Sequence, residues 1–168
     1  MKKMTVLAAS VAAFATAVHT LIAAEPKAMV MTQPDAPVVI TKYTARYLSA
    51  AKASEQGVNH RIEYTNRSER RIEALEIGFV EFDVWNEHLD TLLGNDLDAV
   101  AAGRAGEGSW LHDPPAAFTF YTGVAYISRV RFDDGEIWRA DLDAIAEHLK
   151  SLEATFSVEK LRPKNGDK

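Results

Sequence analysis

Apolar and polar side chains alternate along residues 118–132, and this period of two is the feature that most limits how the chain can fold. Every even position from Phe118 to Phe132 is aromatic, β-branched or a small hydroxyl residue. Successive side chains of a β-strand point to opposite faces, so the pattern predicts one long half-buried strand, or two strands broken near Gly123. An Asp-Gly pair follows at residues 134–135 and is typical of a hairpin turn, because both central turn residues need positive φ. The chain is therefore expected to be mainly β.

A second strand is well marked over residues 75–84. Its apolar side chains occupy odd positions at first and even positions afterwards: Leu75, Ile77 and Phe79, then Val80, Phe82 and Val84. Two structures would produce this phase change. One is a β-bulge beside Gly78, and the other is a strand buried on both faces.

The other segments are less regular. Strands are predicted over residues 38–47 and 59–65, which are rich in β-branched and aromatic residues. Residues 86–102 are predicted to form a short helical turn or a loop, and the glycine-rich residues 103–109 a loop. One helix is predicted over residues 142–153, because Asp141 is a good N-cap and the apolar residues that follow share one helical face.

The N-terminus has the order of a secretory signal peptide. Lys2 and Lys3 precede an apolar stretch over residues 4–18, and small residues follow before Glu25. We expect residues 1–24 to be removed by cleavage after Ala24, which gives a periplasmic or secreted protein. The alternative is a retained membrane anchor, since residues 4–24 would span a bilayer at about 1.5 Å per residue.

The mature chain is expected to contain one domain. Residues 25–37, with three prolines, are predicted to be a flexible lead-in. Residues 38–156 are predicted to form a β-sandwich with a C-terminal helix, and residues 157–168 a polar tail. A core of ordinary size is expected from this length.

Composition excludes several classes of function. Without the leader, 17 basic residues stand against 24 acidic ones, a formal charge of −7, so nucleic acid is not an expected partner. No further apolar run is long enough to span a bilayer, so no membrane contact is expected after cleavage of the leader. The chain has no cysteine, which excludes disulfides, thiol catalysis and thiolate metal sites.

No catalytic motif is present, and no catalytic residue, cofactor or metal ligand is predicted. The four histidines of the mature chain lack metal-binding spacing: His60, His88, His112 and His148. Acidic residues do gather between predicted strands: Asp83, Glu87, Asp90, Asp96 and Asp98. They would form either a solvated rim or, in an alternative hypothesis, the site of a calcium-assisted or paired-carboxylate hydrolase.

Three tryptophans are the candidate ligand-binding residues. Trp85 ends a predicted strand, Trp110 precedes a proline-rich loop and Trp138 follows the hairpin turn. Exposed together, their rings would stack on a sugar or a peptide. The alternative is that they fill the ends of a sandwich.

Residues 62–68 followed by residues 72–83 resemble small extracytoplasmic domains of the FxLYD kind. Those domains have a strand, an Asn/Ser turn and a strand that ends in an aromatic–Asp pair, and residues 79–83 are similar to the named motif. Glu81 and Phe82 stand where the motif has leucine and tyrosine. The resemblance implies an immunoglobulin-like fold and supplies no catalytic residues.

Together these patterns predict an antiparallel immunoglobulin-like β-sandwich of about seven strands with one C-terminal helix. The expected function is that of an exported, non-enzymatic binding or interaction domain. Its partner would be an unknown protein or envelope component, bound at a strand edge or on aromatic side chains.

Overall fold

The computed structural model describes residues 26–49 and 56–164, which form two β-sheets and a C-terminal α-helix. The helix α1 spans Leu142–Leu149, and short 3-10 helices span Ala117–Thr119 and Val158–Leu161. The strands are β1 (Lys27–Val30), β2 (Val38–Leu48), β3 (Gly57–Asn66), β4 (Ile72–Asp83), β5 (His88–Asp96), β6 (Ala105–His112), β7 (Phe120–Phe132) and β8 (Ile137–Arg139).

The strands divide into a five-stranded and a three-stranded sheet. The larger sheet has the order β1-β7-β4-β5, with β8 also paired to β7, and the smaller one has the order β2-β3-β6. The predicted mainly β class with a C-terminal helix is confirmed. The pairing of β1 with β7 is parallel, which the predicted all-antiparallel arrangement did not include.

Strand β4 is buried on both faces, and this explains its change of apolar phase. The odd residues Leu75, Ile77 and Phe79 belong to the core between the two sheets. Val80 and Phe82 belong to a second core, which α1 and the C-terminal segment cover. The hypothesis of two buried faces is therefore confirmed. A bulge also occurs there, because the β4–β7 register shifts between Glu76 and Ile77.

Strand β7 changes face twice. Tyr121 and Ser128 have no partner in β4 and are the extra residues of two bulges. Val130 therefore faces the core between the sheets, whereas Val124 and Tyr126 face the helix. The uniform even-numbered buried face predicted for residues 118–132 is wrong in its middle part, because each bulge reverses the alternation.

Two segments predicted as loops form strands. Strand β5 replaces the expected helical turn, and β6 begins at Ala105 within the glycine-rich segment. Gly106 and Gly108 are needed there, because an added Cβ would lie 2.5 Å from Tyr64 atoms and 2.1 Å from Trp110 atoms, respectively. Large neighbouring rings occupy the space that the missing side chains leave.

The two ends of the described chain are also structured. The segment predicted as a lead-in contains β1, and the predicted polar tail contains Leu161, which is buried beneath α1. The predicted signal peptide lies outside the described residues.

The predicted helix start and hairpin are confirmed at the C-terminal end, but the helix ends at Leu149 and not at residue 153. The side chain of Asp141 accepts from the Ala144 amide at 3.1 Å, and a hairpin turn joins β7 to β8. Gly135 has a φ of 86°, but Asp134 does not have positive φ, so the expected positive φ at both central residues is wrong. Within the described residues, the longest helix has eight residues, which is too few to cross a membrane.

We expect Gly78→Ala to destabilise the protein by about 2 kcal/mol, which is typical of overpacking. The added Cβ would lie 2.1 Å from the ring of Tyr126, which covers Gly78. Urea unfolding measures the effect. In a Tyr126→Ala background the same substitution should lower the free energy of unfolding much less. An equal loss in both backgrounds would contradict a contact between Tyr126 and position 78.

Candidate functional site

Two chain connections lie at one end of the five-stranded sheet, which we call the loop end: residues 84–87 and residues 113–119. The first joins β4 to β5, and the second joins β6 to β7. Asp83 is paired with Phe120 across β4 and β7, so both connections leave the sheet at the same end. The register therefore brings together side chains that are more than 30 positions apart in the sequence.

Trp85 projects from the first connection and is 79 % exposed, beside Val84 at 52 %. The Asp83 carboxylate accepts from the backbone amides of Trp85 and Glu87, each at 2.8 Å. The turn closes with Asn86, whose amide donates to the Asp83 carbonyl and whose φ is 62°. Asparagine tolerates this left-handed conformation. The backbone under Trp85 is thus fixed by hydrogen bonds.

Phe118 projects from the second connection and is 74 % exposed. Its neighbour Ala117 is buried, so the short helix is anchored while Phe118 points away from the core. The amide and hydroxyl of Thr119 both donate to the Ala116 carbonyl at 2.8 Å. Ala116 itself has φ 62°, a strained conformation for alanine that costs about 1–2 kcal/mol.

The charge of these connections is negative. Residues 84–87 and 113–119 contain Glu87 and Asp113 and no lysine or arginine. Both carboxylate residues are exposed. The two connections thus combine exposed apolar rings with two exposed carboxylates, and the Lys164 ammonium lies nearby on the His88 and Leu89 carbonyls.

Trp110 does not lie at the loop end but closes one side of the core between the sheets. Its ring packs against Phe79, with centroids 5.3 Å apart, and its Nε1 donates to the Asn95 carbonyl at 3.3 Å. It also lies over Gly94 and Gly108, where a Cβ would come within 2.9 and 2.1 Å of the ring.

Trp138 lies far from the other two tryptophans. It is half-buried against the core between the sheets and is paired with Val130 across β7 and β8. Val130 is ten residues along β7 from Phe120, about 30 Å at the rise of a strand. The structure therefore does not bring the three candidate tryptophans together, and Trp85 is the one that is widely exposed.

A network of polar side chains, which we call the core histidine network, lies between the sheets close to the loop end. His60 and Glu81 have no exposed surface. Tyr43 Oη lies 2.8 Å from His60 Nδ1, and His60 Nε2 lies 2.7 Å from Glu81 Oε1. His112 Nδ1 also lies 3.1 Å from this Glu81 oxygen. These contacts join both strands β2 and β3 of the smaller sheet to β4 of the larger one.

The contacts determine which groups donate. The Tyr43 hydroxyl donates to His60 Nδ1, His60 Nε2–H donates to Glu81, and His112 donates to the same carboxylate. Burial lowers the pKa of His60 despite Glu81. Burial also lowers the pKa of His112, but the hydrogen bond and charge of Glu81 outweigh it, and the pKa lies above 6.5. Burial, with the charge of Glu81, raises the pKa of Tyr43.

This network joins the two sheets from inside the core. Tyr43, His60 and Glu81 are buried, so a substrate has no access to them. The raised pKa of Tyr43 makes its hydroxyl a poor nucleophile. Among residues 26–49 and 56–164, no group of three or more His, Asp or Glu side chains is arranged to hold a metal ion.

The acidic residues considered for calcium or hydrolysis are separated by strand β5. Asp83 and Asp90 accept backbone amides at the loop end, the latter from Thr91 and Lys164. Asp96 accepts from the Tyr64 hydroxyl at 2.7 Å. Six residues separate Asp90 from Asp96, about 20 Å along a strand, so these carboxylates do not form one cluster.

Sequence reasoning missed Phe118 and the core histidine network. Phe118 occupies an even position of the alternating segment and was predicted to be buried, but β7 begins only at Phe120. The network had one visible signal. Glu81 continues the odd, core-facing row of Leu75, Ile77 and Phe79, where a charged residue needs a buried partner.

Comparison with known proteins identifies no relative by sequence: no family model matches, and no curated protein matches. A hypothetical protein of Peptoclostridium difficile 630 has a similar structure, with a TM-score of 0.53 and 13 % identity over 74 % of this chain and 95 % of that one. Target SoR45 of the Northeast Structural Genomics Consortium is less similar, with a TM-score of 0.39, 13 % identity and coverage of 62 % and 80 %. The first of these likenesses concerns the fold alone.

We expect Glu81→Gln to lower the pKa of His112, measured by NMR titration of its imidazole, and to destabilise the fold by about 3 kcal/mol. Because the His112 pKa is raised in the folded state, its stabilising contribution is full below pH 6.5 and is lost as pH rises through the folded pKa. In Glu81→Gln this pH dependence should weaken, because only the charges of Asp90 and Asp113 still raise the His112 pKa. Glu87→Gln, which removes an exposed carboxylate of the loop end, is the control. An unchanged His112 pKa in Glu81→Gln would contradict the assigned pairing.

Proposed function

We propose that this protein is an exported, non-enzymatic binding domain that contacts a partner protein through its loop end. The observation that carries the proposal is the presence of two widely exposed aromatic rings, Trp85 and Phe118, on turns at the same end of one sheet. Large aromatic side chains dominate the energetics of protein interfaces, because they bury much apolar area with few rotatable bonds.

The backbone geometry supports this role. Asp83 holds the turn under Trp85, and Ala117 anchors the short helix under Phe118. Rings on such turns lose little conformational freedom on binding, which favours affinity. The left-handed conformations of Asn86 and Ala116 occur in these two connections, and local strain of this kind is often found at functional sites.

The charges at the loop end indicate the kind of partner. Glu87 and Asp113 flank the exposed rings, and neither connection carries a basic residue. Such a surface complements an apolar pocket with a basic rim on another protein. It is poorly suited to an anionic membrane, which attracts basic segments.

We also propose the finer fold assignment, an immunoglobulin-like sandwich related to FxLYD domains. Its support is the shared core between two sheets and the similarity of residues 79–83 to the motif. The fold assignment adds nothing to the choice of partner.

Site-specific photo-crosslinking tests the interaction. A photoreactive phenylalanine analogue at position 85 or 118, introduced in the producing cells, is expected to trap the same protein. The analogue at position 97 is the control, because Leu97 is 76 % exposed but follows β5 at the opposite end of the sheet. Trp85→Ala combined with Phe118→Ala should abolish crosslinking from position 84, while the stability changes by less than about 0.5 kcal/mol per substitution.

Two outcomes would contradict the proposal. One is equal crosslinking from positions 85 and 97. The other is a blue shift of Trp85 fluorescence with vesicles of neutral or anionic lipid, lost in Trp85→Ala, which would assign the loop end to a membrane.

Export is tested separately by N-terminal sequencing of the protein recovered from outside the cytoplasm. We expect the sequence to begin at Glu25, because small residues precede it after an apolar stretch. An intact leader would instead indicate a retained anchor.

A further inference from the structure

A concave surface lies on the face of the five-stranded sheet that α1 and the C-terminal segment partly cover. It has a volume of about 280 Å³. We call it the arginine cavity, because Arg129, Arg139 and Arg162 line it together with Tyr126. Residues of β7, β8 and the segment after the last 3-10 helix thus meet there. It is distinct from the loop end, since Arg129 lies nine residues along β7 from Phe120.

The arginine cavity gathers like charges. Arg129 and Arg139 are directly paired across β7 and β8, so their side chains are close neighbours on one face. Like charges in this position destabilise a sheet. Glu76 offsets one of them: its carboxylate lies 2.6 Å from Arg129 Nη2 and accepts from Ser128 at 2.8 Å.

The other two guanidinium groups are less closely paired, although the charge of Arg162 helps to lower the pKa of the nearby Glu159 carboxyl. Among the described residues, neither Arg139 nor Arg162 takes part in an ion pair, and both are exposed. The cavity wall therefore contains three arginines and one carboxylate residue, Glu76, in a chain whose formal net charge is −5. A local excess of the opposite sign attracts an anion.

Tyr126 supplies a further donor. Its ring lies over Gly78, and the residue is 1 % exposed. Its hydroxyl forms no hydrogen bond within the described residues, although it belongs to a side chain in the cavity wall. A tyrosine hydroxyl without a side-chain or backbone partner can donate to a bound oxygen atom.

The rest of the wall is apolar. Leu93, Leu142 and Leu161 line it, and Leu142 is 37 % exposed. A volume of this size lies at the small end of ligand sites. Arginine forks suit carboxylate and phosphate heads, whereas the leucines suit a short hydrocarbon body.

We propose that the arginine cavity binds a small amphiphilic anion, with a carboxylate or phosphate head on Arg139 and Arg162 and a short apolar body against the leucines. The negative charge of the head group would also reduce the electrostatic repulsion between the side chains of Arg129 and Arg139. This inference does not depend on the loop end or on its partner protein.

Binding is tested on the mature protein with octanoate, octyl phosphate and 1-octanol as probes. We expect at least one of the two anions to bind at about 1 mM or below and to shift the NMR signals of the Arg139 and Leu142 amides. Comparison of the two anions identifies the preferred head. Octanol, which has the body without the charge, should bind at least tenfold more weakly.

Variants assign the contacts. Arg139→Gln combined with Arg162→Gln should weaken binding of the anion at least tenfold, since two charge-assisted hydrogen bonds are lost. Tyr126→Phe keeps the ring over Gly78 and should weaken it about threefold, the equivalent of a modest neutral hydrogen bond. Arg104→Gln, at an exposed arginine before β6, is the matched control and should bind as the wild type does.

The proposal is overturned if neither anion binds at about 1 mM, if octanol binds as tightly as the anions, or if the double arginine variant retains wild-type affinity. Unchanged binding in Tyr126→Phe would contradict the role of the hydroxyl. We expect these variants to leave crosslinking at the loop end unchanged, so failure here and failure of the proposed function are distinguishable.

Discussion

The β4–β7 pair is covered on both faces, and the rest of the structure is arranged around this constraint. One face packs against the three-stranded sheet, and the other packs against α1 and the C-terminal segment. Strands with two buried faces need two covering layers, so the short helix is part of the core rather than an appendage. Ile145 and Leu149 cover β4 residues that water would otherwise reach. The same cover leaves the arginine cavity beside it.

Glu81 introduces a charge into this otherwise apolar arrangement. Two histidines from the smaller sheet donate hydrogen bonds to it, so the carboxylate links the larger sheet to the smaller one across the core. Such a contact holds the two sheets in one relative position, because a shift of either sheet would leave a buried charge without its donors. The connections at the loop end follow the same strands. We attribute the fixed presentation of Trp85 and Phe118 to this rigidity together with their local hydrogen bonds.

The candidate site was only partly predictable. Trp85 follows a strongly marked strand, and the sequence alone suggested an aromatic side chain at a strand end. Phe118 belongs to an alternating segment whose pattern predicted one continuous strand. The arginine cavity had no sequence signal, since Arg129, Arg139 and Arg162 are at least ten positions apart and meet only through strand pairing and the C-terminal segment.

Local chemistry in the sequence by itself determined the β class, the hairpin at Gly135 and the helix that begins after Asp141, because turns, caps and alternation act between close neighbours in the chain. Only the tertiary structure decided the bulges at Tyr121 and Ser128 and the strand character of β5 and β6. Those features depend on partners far away in the sequence. A segment without a regular strand pattern becomes a strand when a neighbouring strand forms hydrogen bonds with its backbone. In β5 and β6 the ring of Trp110 also occupies the space above Gly94 and Gly108.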